Sequence, residues 1–324
     1  MPEMTYREAL RAALFEEMHR DENVFVMGED IGVFEGAYKV TAGLLAEFGP
    51  QRVRDTPIAE DGFVGVGIGA SMVGLRPVVE MMTMNFAVLA MNQIVNHAAK
   101  IRYMFGGQAK VPIVIRGPGG GGFQLAAQHS QSLEVWFAYV PGLKVVAPAT
   151  AADAKGLMKA AIRDDNPVIF FENLGLYNTR GEVPEGEHLV PIGQADVKRH
   201  GKDVTLVSYS RSTIWALDAA RQLAGEGIEA EVVDLRSLRP LDMATVANSV
   251  RKTNRAVIVE EGWPVYGIGA EAAASLQEQA FDYLDAPIMR VGGAEVPMPY
   301  SKVLEQAAIP GPSDIIEAVR RVLG

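Results

Sequence analysis

Short apolar runs and amphipathic stretches alternate along the chain, and they form two series. In the first series, runs of strand length are followed by stretches of helical periodicity, the first of which opens with the capping box Thr5-x-x-Glu8. The predicted strands of this series span residues 24–27, 77–81, 111–116, 144–146 and 167–172. Strands that alternate with helices predict an α/β fold with a parallel sheet covered on both faces.

The second series begins after a change of composition. Glycine, proline and acidic residues dominate the stretch RGEVPEGEHLVPIG, which predicts a linker. Predicted strands then span residues 204–209, 229–234 and 255–260, and predicted helices span 212–225, 242–252, 267–279 and 313–323. We therefore predict a first domain at 1–175, a linker at 176–202 and a second α/β domain at 203–324.

Composition excludes several classes of function. The net charge of -10 argues against nucleic acid as the main partner. The absence of cysteine excludes disulfides, thiolate nucleophiles and cysteine-ligated metal sites. We find no signal-peptide pattern and no apolar run of about 18 residues, so we expect a soluble intracellular protein with no membrane partner.

Glu60 lies at the centre of the stretch TPIAEDGFVGVGIGAS, at the predicted start of a helix rich in glycine. Small residues there permit close approach of a backbone or a flat ligand, and a carboxylate in such a place is suited to exchange a proton with a heterocycle. Two other interpretations remain open. Gly65-x-Gly67-x-x-Ala70 matches a relaxed dinucleotide fingerprint, although no buried strand directly precedes it. Glu60 is otherwise a simple N-capping acid.

Four more residues are candidates on pattern alone. Glu29 and Asp30 end the predicted strand 24–27, where α/β proteins place ligand contacts; a solvated turn is the alternative. Phe86 opens an apolar helix predicted to run to about Tyr103, and its spacing favours core packing. His129 follows a glycine run that lacks the ending of a P-loop, which favours a proton carrier at the mouth of a site over a core histidine.

Seven motifs occur together in one order along essentially the whole chain: MGEDIGVFEGAYKVT, TPIAEDGFVGVGIGAS, FAVLAMNQIVNHAAKIRYM, AAQHSQS with PGLKVV, IRDDNPVIFFEN, DLRSLRPLD and EEGWPVYGIGAE. This set resembles the beta subunits of the thiamine-diphosphate-dependent 2-oxoacid dehydrogenases, notably those of the pyruvate dehydrogenase type. The resemblance implies a parallel-sheet domain that binds the aminopyrimidine, followed by a transketolase C-terminal-type α/β domain. It also implies an α2β2 heterotetramer with thiamine diphosphate between the two kinds of subunit.

The family's GDG motif for diphosphate and magnesium is missing from this chain. The resemblance therefore implies that magnesium is held on the alpha subunit and that this chain supplies only half of the site. Carried onto this sequence, Glu60 resembles the glutamate that hydrogen-bonds the pyrimidine ring and promotes its imino tautomer. Phe86 resembles the aromatic that packs on the ring, and Ile58 and Glu29 lie near it. His129 resembles the histidine at the channel mouth that binds substrate or protonates the lipoyl sulfur.

The resemblance implies two further sites. The first is a potassium site made largely of backbone carbonyls, which matches Ile113, Ala161, Ile162, Asp164 and Asn166. The second is the place where the basic domain of a lipoylated dihydrolipoyl acyltransferase docks, which matches Asp285 and the carboxylate of Gly324.

The predicted reaction is oxidative decarboxylation of pyruvate with reductive acetylation of the acyltransferase's lipoyl group. A branched-chain 2-oxoacid or acetoin is the alternative substrate, because Met82, Met84 and the uniform glycine run depart from the pyruvate pattern. A transketolase-like transferase and a non-catalytic docking subunit are alternatives of other kinds. The expected compartment is the bacterial cytoplasm, or an organelle matrix after removal of a transit peptide.

Overall fold

The computed structural model describes residues 2–324, and the chain divides into two compact units. The first unit runs up to Gly119 and resumes at Trp136–Ile192, and the second comprises Gly120–Val135 and Gly193–Gly324. Residues 120–135 thus belong to the second unit although the residues on either side of them belong to the first. The two units are therefore not two continuous stretches of sequence. The domain limits predicted above stay a prediction.

A parallel sheet forms the centre of the first unit. Its strands lie in the order β6-β7-β5-β4-β2-β3, and every neighbouring pair is parallel. A separate antiparallel pair joins β1 to β8. The strands of this unit are β1 (Glu3–Thr5), β2 (Val24–Gly28), β3 (Val53–Asp55), β4 (Arg76–Glu80), β5 (Val114–Gly119), β6 (Lys144–Val146), β7 (Val168–Asn173) and β8 (Arg180–Glu182).

The helices of the first series are α1 (Tyr6–Arg20), α2 (Leu44–Phe48), α3 (Glu60–Met72), α4 (Ala99–Met104), α5 (Glu134–Ala138) and α6 (Ala151–Arg163). The predicted capping box is confirmed: Glu8 N–H donates to Thr5 Oγ1, and Thr5 N–H donates to the Glu8 carboxylate. Helix α3 lies close on the sheet because Gly67 has no side chain. A Cβ there would lie 2.9 Å from Val79 Cγ2, which is too close for an ordinary contact.

The helix predicted from Phe86 to Tyr103 is interrupted. The structure has a 3₁₀ helix at Met84–Ala90, a π-helical segment at Asn92–Ala98 and only then α4. Thr83 begins the 3₁₀ helix by accepting a hydrogen bond from Asn85 N–H. Apolar spacing does not distinguish these three helix types here, because the stretch is apolar on most faces and so has no single clear period.

Strand β5 also runs further than predicted, through Gly117 to Gly119, because these residues continue to pair in register with β7. A Cβ at Gly117 would lie 2.4 Å from the carbonyl oxygen of Met81, so glycine is required there.

The second unit has a five-stranded sheet in the order β14-β13-β10-β11-β9, in which β9 alone is antiparallel to its neighbour. The strands of this unit are β9 (Asp196–Arg199), β10 (Val204–Ser208), β11 (Ala230–Asp234), β12 (Ser237–Arg239), β13 (Ala256–Val259) and β14 (Met289–Val291), of which β12 lies outside the five-stranded sheet. Its helices are α7 (Arg211–Ala224), α8 (Met243–Thr253), α9 (Ile268–Ala280), α10 (Lys302–Ala308) and α11 (Pro312–Leu323). The strands and helices predicted for this series are confirmed, whereas β9 lies in the stretch predicted as linker.

Candidate active site

Glu60 is the first residue of α3, and its side chain is buried. The N-cap residue is Ala59, which makes no side-chain capping bond, so the simple N-cap interpretation of Glu60 is wrong. A buried carboxylate in the first turn faces the positive end of the helix dipole. Glu60 is therefore buried at the start of α3 without capping the helix.

Glu29 follows directly on β2 and is also buried. Burial raises the pKa of Glu29 to about 7, and the negative charges of Glu60 and Asp30 add to that rise. One of its carboxylate oxygens, Oε1, is buried without a hydrogen-bond partner. Glu29 and Glu60 are thus brought together at one edge of the sheet, where the first retains a proton near neutral pH.

The other residues predicted for this site surround the start of α3. Ile58 lies two residues before Glu60 and is 78% exposed, so its apolar surface is open to a ligand. Phe86 is partly buried on the 3₁₀ helix Met84–Ala90, and that helix packs against α3. An apolar ring and an exposed apolar side chain near two acids suit a flat heterocycle with polar edges.

A cavity of about 700 Å³ opens beside the same helix start. Its wall includes Asp55, Thr56 and Ala59. Thr56 Oγ1 is buried without a hydrogen-bond partner, and Asp55 accepts the backbone N–H groups of Gly32 at 2.6 Å and Val33 at 3.3 Å. The sequence analysis did not identify Asp55 or Thr56 as candidates. Both lie at the end of β3, as Glu29 lies at the end of β2, and the end of a parallel strand is where ligand contacts are expected.

His129 lies on the segment Gly120–Val135, which belongs to the second unit, and its side chain is exposed. Its backbone N–H donates to Ala126 O at 3.4 Å. Exposure agrees with the interpretation that this histidine is not a core residue. Its predicted role in the reaction stays a prediction.

Three carboxylates in the second unit were also missed. Burial raises the pKa of Glu134 to about 8, with the charges of Glu261 and Glu260 adding to the rise. Burial likewise raises the pKa of Glu260 to about 7, against hydrogen bonds that include Tyr209. Glu260 and Glu261 follow the apolar strand β13, so the acidic end of a strand was again the available signal.

The five residues matched to a potassium site lie around the end of α6 and the strands beside it. Ile113 O accepts Val168 N–H at 2.9 Å, and Ala161 O accepts Asp164 N–H at 3.2 Å. The carbonyls of Ile162 and Asp164 both accept Arg76 Nη1, at 3.0 and 3.1 Å. Asn166 Oδ1 accepts Arg102 Nη1 at 2.7 Å. The Arg76 guanidinium thus brings the carbonyls of Ile162 and Asp164 together.

Asp285 and the last turn of α11 are linked through Arg255. This side chain donates from Nε to Val322 O at 3.0 Å, and its Nη2 lies 3.6 Å from Asp285 Oδ2. Asp285 and Gly324 are both exposed. The two residues predicted for partner docking therefore lie on one accessible part of the second unit.

Within residues 2–324, no group of three or more histidine, aspartate or glutamate side chains is placed to hold a metal ion. None of the helices described is long and apolar enough to cross a membrane.

Two families match this chain. The family described as "Transketolase, pyrimidine binding domain" matches residues 2–179, and "Transketolase, C-terminal domain" matches residues 193–315. A solved structure named "Split gene transketolase, inactive beta4 tetramer" superposes with a TM-score of 0.82 at 28% identity, and covers 99% of this chain and 98% of its own. These findings confirm the predicted pair of transketolase-type α/β domains.

Curated relatives are similar over nearly the whole chain. Pyruvate dehydrogenase E1 component subunit beta of Rickettsia felis is 56% identical over 320 residues, covering 99% of this chain and 98% of its own. The protein of the same name from Rhizobium meliloti is 56% identical over 323 residues, covering 99% and 70%. The mitochondrial beta-1 subunit of Arabidopsis thaliana is 54% identical, covering 98% and 89%. With the two acids gathered at the start of α3, these similarities show that the chain belongs to the pyruvate dehydrogenase E1 beta-subunit family.

Proposed function

We propose that this chain supplies the aminopyrimidine half of a thiamine diphosphate site and acts with an alpha subunit in the oxidative decarboxylation of pyruvate. One observation carries the proposal: two buried carboxylates, Glu29 and Glu60, are coupled at the start of α3, and Glu29 Oε1 has no hydrogen-bond partner. An unpartnered buried oxygen is costly and is therefore expected where a ligand completes the hydrogen bonding.

Glu60 would hydrogen-bond the ring nitrogen of the aminopyrimidine and hold a proton there. Glu29, with its pKa near neutrality, would retain a proton and donate it toward Glu60, which orients the acid that contacts the ring. Phe86 and Ile58 would exclude water from the ring faces. Thiamine diphosphate, when bound, supplies the carbanion chemistry that releases the carboxylate of a 2-oxoacid as carbon dioxide.

His129 would act at a later stage, where the acetyl group passes to the lipoyl group of a dihydrolipoyl acyltransferase. An exposed imidazole can bind the incoming group and exchange a proton with it. Asp285 and the carboxylate of Gly324 would dock a basic domain of that acyltransferase, since Arg255 contacts both Asp285 and Val322, two residues before Gly324.

The diphosphate and its magnesium ion would be held by the alpha subunit, in an α2β2 assembly. The missing GDG motif supports this division, and so does the split-gene transketolase, whose tetramer of beta chains is described as inactive.

A potassium ion would use the carbonyls of Ile113, Ala161, Ile162, Asp164 and Asn166. A carbonyl oxygen has two lone pairs, so the existing hydrogen bonds leave capacity for a cation. The bacterial and mitochondrial names of the relatives fit a bacterial cytoplasm or an organelle matrix.

The test is to co-express the chain with its alpha subunit and to measure thiamine-dependent release of carbon dioxide from pyruvate and from 3-methyl-2-oxobutanoate, together with thiamine-dependent release of acetaldehyde from acetoin. We expect turnover only when both chains are present, with pyruvate as the faster substrate. Faster turnover of the branched substrate, or of acetoin, would assign the chain to another thiamine-dependent member of the same family. The absence of turnover with all three would contradict the proposal and favour a docking subunit.

A further inference from the structure

The backbone of the segment Gly120–Val135 is anchored to charged side chains of the second unit. Gly121 N–H donates to Glu261 Oε1 at 2.7 Å, and Gly121 O accepts from Arg211 Nη1 at 2.9 Å. Hydrogen bonds to ionised groups are shorter and stronger than neutral ones. The start of the segment that carries His129 is therefore fixed.

Glu305 makes the next anchor. It lies on α10 and is 1% exposed, and its Oε1 accepts the N–H groups of both Gly122 and Gln124 at 3.0 Å. Its second oxygen accepts Gln124 N–H at 3.1 Å. The buried Glu305 carboxylate thus accepts two backbone N–H groups of the turn at residues 122–124.

The backbone of this turn includes left-handed conformations that need support from the surrounding structure. Gly122 has φ +100° and Gln124 has φ +57°, and the second value is unfavourable for a residue with a side chain. Such a conformation persists where the surroundings determine it. Without the Glu305 carboxylate, the two amides would lose their acceptor and the turn would relax.

The turn is connected to His129 by few residues. Ala126 also has a positive φ of +62° and accepts His129 N–H, and Gly120 N–H donates to Gln131 O at 3.1 Å, which closes the segment. His129 lies between these closing bonds. A shift of the turn at 122–124 therefore changes the position of the imidazole.

We propose that Glu305 is a positioning residue for His129, whose buried carboxylate holds the turn at residues 122–124 and so places the imidazole for acetyl transfer. This inference rests on the proposed function of His129. Misplacement of a reacting group by about 1 Å can cost on the order of 10²-fold in rate, so the effect should be measurable.

The experiment is a double-mutant cycle in the assembled enzyme with its alpha subunit. The rate of acetylation of an isolated lipoyl domain is measured for Glu305→Ala, His129→Ala and the double variant, with assembly checked by size-exclusion chromatography. We expect Glu305→Ala to lower the rate by about tenfold or more, and to have little further effect when His129 is already alanine. Glu305→Gln, which keeps one acceptor oxygen, should fall between wild type and Glu305→Ala. Glu317→Ala, a change of an exposed helical carboxylate in the same unit, is the matched control and should match wild type.

An equal loss in both backgrounds would overturn the inference, because Glu305 would then act independently of His129. An unchanged rate in Glu305→Ala would overturn it as well. If Glu305→Ala does not assemble, the same cycle with Glu305→Gln decides. An unchanged rate in His129→Ala would overturn both this inference and the role of His129. Carbon dioxide release with dichlorophenolindophenol as electron acceptor reports separately on the rest of the proposed function.

Discussion

Glu134 lies buried with Glu260 and Glu261 as charged neighbours, and these surroundings raise its pKa from 4.5 to about 8. The folded protein therefore keeps a proton on this carboxyl between these two values that the unfolded chain has lost. Its contribution to stability is complete at acid pH and is lost as the pH rises through about 8. The charged form of Glu134 is the destabilising one.

This gives a prediction for Glu134→Gln, which removes the charge and keeps the shape. We expect the variant to unfold like wild type below about pH 4.5, and to be more stable than wild type above about pH 8.5, by on the order of 5 kcal/mol. Urea unfolding of the purified chain at a series of pH values measures this. Glu317→Gln, on an exposed face, should leave the pH dependence unchanged. A Glu134→Gln curve parallel to wild type at every pH would show that the Glu134 carboxyl is not the cause.

At the level of elements, three strands of the first unit are joined by one buried cation. The Arg116 guanidinium on β5 pairs with Glu80 on β4 and with Glu172 on β7, and its Nη2 lies 2.6 Å from Glu172 Oε2. Tyr177 Oη donates to the same oxygen at 2.7 Å. Glu80 and Arg116 are each nearly inaccessible, so neither charge can be satisfied by water if the other is removed.

We predict that Arg116→Leu destabilises the chain by about 3 to 5 kcal/mol, because it leaves two buried carboxylates without their cation. The measurement is urea unfolding of both proteins, in which the midpoint should fall while the dependence of the unfolding free energy on urea concentration stays unchanged. Arg321→Leu removes an exposed helical ion pair and should cost less than about 0.5 kcal/mol. Equal losses of stability from the two substitutions would contradict the role given to Arg116 between Glu80 and Glu172.

Periodicity predicted most elements of both units, because buried strands and amphipathic helices leave different spacings. It failed where tertiary contacts set the backbone. The segment after Thr83 takes 3₁₀ and π geometry, β5 continues through glycine and proline by pairing with β7, and β9 forms in a polar stretch as an antiparallel edge strand. Local composition does not encode the extension of β5 or the formation of β9, since the strand that each pairs with, β7 or β11, lies far along the chain.

For the molecule as a whole, the sequence motifs identified the family and named Glu29 and Glu60, which the structure brings together. They did not reveal Thr56, Glu134 or Glu305, whose significance comes from burial and from backbone groups distant in sequence. A carboxylate that accepts backbone amides leaves no spacing signal. The side chains proposed for the chemistry were therefore more predictable than the contacts that hold them in place.

The central claim is that this chain contributes a proton-exchanging carboxyl to a site shared with another subunit. The most direct test is the rate of pyruvate decarboxylation by the assembled enzyme carrying Glu60→Gln, beside Asp61→Asn as an exposed neighbouring control. We predict a loss on the order of 10² to 10⁴ for Glu60→Gln and a rate near wild type for Asp61→Asn. Full activity of assembled Glu60→Gln would contradict the account.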